Sequence, residues 1–135
     1  MQRGTVPGVS DSLELEPTPA SVAAARRWSV QQLAPGHPAE VADTLALLVS
    51  ELVSNVVLHA RTSCTLVVHD HGGRVRVEVR DGSDRLPGTQ VRADLLAQSG
   101  RGMVLVGGLS SSHGVDRLPV GGKCVWFELE VPPAP

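Results

Sequence analysis

Glu51 and Asn55, in Ser50-Glu51-Leu52-Val53-Ser54-Asn55, stand one helical turn apart and therefore share a helix face. Their neighbours Leu48, Val49, Leu52, Val53, Val56 and Val57 are all apolar, and a buried carboxylate costs free energy unless it is paired or at work. A carboxylate can activate an attacking hydroxyl or water, and an amide oxygen is a hard ligand suited to Mg²⁺. A solvated helix edge accounts for the same pair taken in isolation. Asp81 closes the alternating run that begins at Arg74. A carboxylate there can accept a hydrogen bond from the exocyclic amino group of a purine. A plain Asp-Gly turn is the simpler account of that residue alone.

Ser99-Gly100-Arg101-Gly102-Met103 is a third candidate. Its glycines let backbone N–H groups approach phosphate oxygens, and a following helix start adds partial positive charge. A flexible loop before a helix reads the same way. The run is not the dinucleotide-binding Gly-x-Gly-x-x-Gly, because position 105 is Leu. Gly122-Lys123 is not a P-loop, because position 117 is Arg and position 124 is Cys. His59, His69 and His71 lack Cys or Glu partners at ligand spacing and read as surface histidines. Ser110-Ser111-Ser112 has no evident base partner, which argues against a nucleophilic serine.

These residues need elements to hold them. Ser12 to Glu16 alternates polar and apolar and predicts a short strand stopped by Pro17. Ser21 to Leu33 has helical spacing, with Ser21 placed to cap its start and Pro35-Gly36 to end it. The longest helix is predicted from about Pro38 to His59, on the stripe Val41, Leu45, Leu48, Leu52 and Val56. Strands at 63–69 and 74–80 flank the hairpin turn Asp70-His71-Gly72-Gly73. In the second, valines face one side and charges the other, as in a sheet with one face on a core. Weak short helices are expected at 90–98 and 103–109, and a closing pair of strands at 113–118 and 123–131. Helices and hairpins are segregated, so the expected class is α+β: a two-layer sandwich, its mixed, mostly antiparallel sheet covered by helices on one face.

The 135 residues fit one domain, and 41% apolar content supplies one core. Residues 1–11 read as a disordered tail, 12–131 as the domain and 132–135 as a Pro-rich end. A formal net charge of -2 without a basic stripe, and only Trp28, Trp126 and Phe127 as aromatics, disfavour nucleic acid. Cys64 and Cys124 lie in apolar runs and read as small buried hydrophobes. The start of the chain does not resemble a signal peptide, and no apolar run approaches the roughly 20 residues of a membrane span, so a cytoplasmic location is expected.

Taken in order, the motifs resemble one family. A helix carrying Glu51-x-x-x-Asn55, with His59-Ala60 after it, is similar to the N box of the GHKL ATPases. These share the Bergerat fold of histidine-kinase catalytic domains, gyrase-type ATPases and anti-sigma-factor serine kinases. Val77-Glu78-Val79-Arg80-Asp81-Gly82-Ser83 resembles the family's first glycine box. Gly100-Arg101-Gly102-Met103-Val104-Leu105-Val106 resembles the second, and Gly122 to Phe127 the closing strand. The resemblance spans about residues 12–131. The short length and the Gly-Arg-Gly-Met run look like the stand-alone anti-sigma-factor kinases of actinobacteria.

The resemblance implies roles. Glu51 would be the general base and Asn55 a Mg²⁺ ligand. Asp81 would bind the adenine amino group, with Ser83 beside it in the first glycine box. Gly100, Arg101, Gly102 and Met103 would line the phosphates, and residues 85–99 would form an ATP lid. The implied activity is ATP-dependent phosphorylation of a STAS-type anti-anti-sigma partner, with a sigma factor as second partner and a homodimer as the assembly. A departure stands at the first glycine box, which usually reads Asp-x-Gly-x-Gly; here Gly82, Ser83, Asp84 and Arg85 follow Asp81. That departure motivates an alternative, a non-catalytic ATP- or partner-binding module. A simple ATPase comes third, since no transducer domain is evident.

Overall fold

The computed structural model of the chain describes residues 9–83 and 108–132. Gly100, Arg101, Gly102 and Met103, the expected lid, the helix expected at 90–98 and most of that at 103–109 lie outside the described residues.

The described elements run β1 (Val9–Leu15), α1 (Pro19–Gln31), α2 (Ala39–Asn55), β2 (Cys64–Asp70), β3 (Arg74–Asp81), β4 (Ser112–Arg117) and β5 (Lys123–Glu130). The strands form one sheet in the order β1-β2-β3-β5-β4, and every described pairing is antiparallel. The fold is α+β, as the segregation of helices and hairpins predicts. β1 begins three residues before Ser12 and pairs with β2 from Val9↔Asp70 to Leu15↔Cys64.

Period-two alternation builds the core face of the sheet. Val75, Val77 and Val79 of β3, Leu66 and Val68 of β2, and Phe127 and Leu129 of β5 are buried together. Leu45, Leu48, Val49, Leu52 and Val53 of α2 pack on them. α1 lies mainly against α2, and its buried positions Ser21, Ala25 and Ser29 are four apart and small, so the two helices can approach closely. Ser21 does not cap α1. Pro19 occupies the first turn, and the Ser21 hydroxyl instead donates to the Glu16 carbonyl at 2.7 Å.

α2 continues through a π-helical turn, Val56–Ala60, giving a helical run of 22 residues from Ala39 to Ala60. By length and composition that run could cross a bilayer, whereas the sequence reading expected none so long. Its apolar stripe is consumed by the core of this domain instead. Arg61 stops the helix in a left-handed conformation (φ 58°), its N–H bonded to the Val56 carbonyl at 2.7 Å.

The other face of the sheet is polar. Glu78 is buried between Arg76 (2.9 Å) and Arg80 (2.6 Å). Burial would raise the Glu78 carboxyl, but the two guanidinium groups outweigh it and hold the pKa below the ordinary value. Arg76 also stacks on the Trp126 ring, 4.2 Å from its centroid.

One polar clamp ties the helical layer to the β2–β3 hairpin. Asp70 accepts N–H groups from Ala34 (2.8 Å) and Gly72 (2.9 Å) and pairs with His37 Nε2 at 2.9 Å. Burial pulls the Asp70 pKa upward, yet these donors win and leave it depressed. A depressed folded-state pKa stabilises the fold above the unfolded carboxylate value of about 3.9, and that contribution is lost as pH falls through the lower folded value. Asp70→Asn is therefore expected to lose about 1–2 kcal/mol near neutral pH and to flatten the acid limb of the stability curve. Urea unfolding at a series of pH values checks both.

Candidate functional site

The alternation that builds the core face does not stop at Val79. Two residues on, it turns Asp81 to the same side, and in β5 it turns Lys123 there ahead of Val125 and Phe127. The register sets Asp81 directly opposite Cys64 on one side and Lys123 on the other. Both charged residues are buried, at 5% and 6% exposure. Lys123 Nζ lies 3.0 Å from each carboxylate oxygen and donates a hydrogen bond to Oδ1. Oδ1 also accepts the Ser83 N–H at 2.8 Å. Asp81 thus does make the turn that its Asp-Gly context suggests, but with one oxygen only. Oδ2 is buried and accepts no hydrogen bond from any described residue.

The turns around this pair are closely fitted. Thr62, in the link from helix to β2, accepts the Gly82 N–H on its Oγ1 at 3.1 Å. Gly122, at φ +85°, passes so close to β3 that a Cβ there would sit 2.1 Å from the Asp81 carbonyl oxygen. Cys64 is buried beside the carboxylate. Its burial, and next the negative charges of Asp81 and Glu14, push the thiol up to about 11. It is an inert packing group at neutral pH, and burial raises Cys124 likewise.

Glu51 and Asn55 occupy the last turns of α2. Only the π-helical turn and residues 61–63 separate Asn55 from β2, whose first residue pairs with Asp81. Both polar atoms of the Asn55 side chain, Oδ1 and Nδ2, are buried, and no described residue hydrogen-bonds them. A buried carboxamide left without partners costs free energy, so such a group calls for a partner beyond the described residues, such as a water, an ion or a ligand. Glu51 is half-buried. Glu51 and Asn55 close α2, and Asp81 and Ser83 end and follow β3, beside the start of β2 to which the chain runs from α2. Lys123 escaped the sequence reading, although the alternation Lys123, Val125, Phe127, Leu129 carries the signal.

A scan of family models matches the histidine kinase-like ATPase domain over residues 15–129. The chain belongs to that family. No curated protein matches it. The histidine kinase-like ATPase domain is an ATP-binding module, and the described residues fit that ligand in two ways. Among the described residues, Asp81 Oδ2 has the Lys123 ion pair but accepts no hydrogen bond, as an exocyclic amino group requires, and the Asn55 amide makes none.

The tightness of the ATPase domain at Gly122 is testable against its neighbour. Gly121 also has a positive φ (+98°) but has open space where a Cβ would stand. Gly121→Ala should cost about 1 kcal/mol from backbone conformation alone. Gly122→Ala should cost more than about 2 kcal/mol, because it must also push β5 from Asp81. Equilibrium urea unfolding of the two variants measures the difference.

Proposed function

We propose that this domain is an ATP-dependent protein serine/threonine kinase of the anti-sigma-factor type. Its substrate would be a hydroxyl of a STAS-type anti-anti-sigma protein, and its second partner a sigma factor held when that protein is modified. The observation that carries the reading is the pairing of two groups on the end of α2. Among the described residues the buried Asn55 amide has no hydrogen-bond partner, and Glu51, one turn earlier, is a half-buried carboxylate with no hydrogen bond or ion pair.

In this reading Asp81 Oδ2 accepts the adenine amino group and fixes the base. Gly100, Arg101, Gly102 and Met103, which lie outside the described residues, would line the phosphates, as the resemblance implies. The Asn55 amide oxygen would hold Mg²⁺, which would supply charge neutralisation on the phosphates. Glu51 accepts the proton of the partner's hydroxyl while its oxygen bonds to the γ-phosphorus and the β,γ-bridging P–O bond breaks, releasing ADP. Phosphoryl transfer needs mainly positioning and electrostatic stabilisation, which a site this small can provide.

A non-catalytic binding module is the second reading. It is favoured by the first glycine box, where Asp81 Oδ1 is already taken by Lys123 and Ser83 and the usual glycine pattern is absent. Transfer of labelled phosphate to a STAS protein separates the two. Glu51→Ala should lower transfer by about 10²–10⁴-fold and leave ATP affinity unchanged. Transfer by the variant at the wild-type rate would remove Glu51 from the mechanism. Tight partner binding without any transfer by the wild type would favour the binding module. Phosphate release without a partner would point to a simple ATPase.

A further inference from the structure

Lys123 is the sole lysine among 135 residues, the other cationic side chains being arginines. It is buried on the core face of the sheet, at a strand end where an apolar residue would continue the pattern of Val125 and Phe127. An ammonium group carries three N–H donors. One goes to Asp81 Oδ1, and no other described residue accepts a hydrogen bond from Nζ. Beside it, 3.0 Å away in the same ion pair, stands Asp81 Oδ2, which accepts no hydrogen bond from any described residue. Together they present one acceptor and one donor, side by side, at the spot where the nucleotide reading puts the base.

We infer that Lys123 is a base-reading residue, which donates to ring nitrogen N1 of adenine while Asp81 Oδ2 accepts from the exocyclic amino group. The two base atoms are separated by a single carbon and have opposite hydrogen-bonding character, which is the character the protein pair offers in return. Lys123 therefore has two tasks. It neutralises Asp81 in the free protein, and it keeps a charge-assisted donor for the ligand. A site that hydrogen-bonds a ligand atom rejects the analogue lacking it, because the protein's buried group is then left unpaired. The inference rests on the nucleotide-binding reading of Asp81 and adds a specificity determinant to it.

The test changes the ligand before the protein. 1-Deaza-ATP lacks the ring nitrogen but keeps the amino group and the phosphates. Calorimetry on the wild type with Mg²⁺ is expected to find it bound at least about tenfold more weakly than ATP. Equal affinity for the two would overturn the role of Lys123 and leave the nucleotide site standing. Binding of neither would overturn the nucleotide reading and this inference with it. In Lys123→Met the gap between the two ligands should close, and a gap that persists would assign the donor to another group. Should that variant not fold, lysine labelled with ¹⁵N at Nζ gives a wild-type readout, since one lysine yields one ammonium signal. That signal should move on addition of ATP and move less with 1-deaza-ATP; an equal response to both would contradict the inference.

Discussion

Asp81 and Lys123 face each other across neighbouring strands on the side of the sheet that α2 covers, and each is tolerable there only because of the other. Removing one partner of a buried ion pair strands the remaining charge at a cost on the order of 3–5 kcal/mol. The pair therefore constrains what surrounds it. The β3–β5 register must keep the two residues opposite. Ser83 must turn back so that its N–H reaches Oδ1, and Gly122 must lack a side chain so that β5 can pass the Asp81 carbonyl. Thr62 then fastens the end of the helix to the same turn through Gly82.

That arrangement leaves polar groups at the edge of the core. Asp81 Oδ2 is held by the Lys123 ion pair but accepts no hydrogen bond from a described residue, and the Asn55 amide, at the end of α2, likewise makes none. Rigid elements hold both. Asp81 ends a strand paired on both sides, and Asn55 ends a helix whose stripe is sunk in the core. The π-helical turn and the left-handed Arg61 that follow Asn55 are departures from regular helix of the kind found beside functional groups. The clamp of Asp70 on Ala34, Gly72 and His37 fixes the opposite end of β2, so the sheet is tied to its helices at both ends.

Much of this was legible in the residues themselves. The stripe Val41, Leu45, Leu48, Leu52 and Val56 announced α2, and the alternation of Val75, Val77 and Val79 announced both β3 and its buried side. Glu51 and Asn55 were conspicuous because they interrupt an apolar face, which is a local signal. The ion pair was not conspicuous, because it is a property of register. Only the pairing of β3 with β5 reveals that Asp81 meets Lys123, and neither strand's own sequence contains that pairing. Ser21 misled for a related reason: several hydroxyls near a helix start can cap it, and here Pro19 set the first turn while Ser21 turned its hydroxyl to Glu16.

The central claim is that the buried end of the sheet, with Asp81 as its acceptor, binds a nucleotide. Calorimetric titration of ATP, with Mg²⁺ and with chelator, into the wild type and into Asp81→Asn tests it most directly. The account predicts Mg²⁺-dependent binding that the substitution weakens by about tenfold or more, the order of one lost hydrogen bond to a charged acceptor. Absence of binding up to millimolar ATP, or equal affinity in the two proteins, would contradict it.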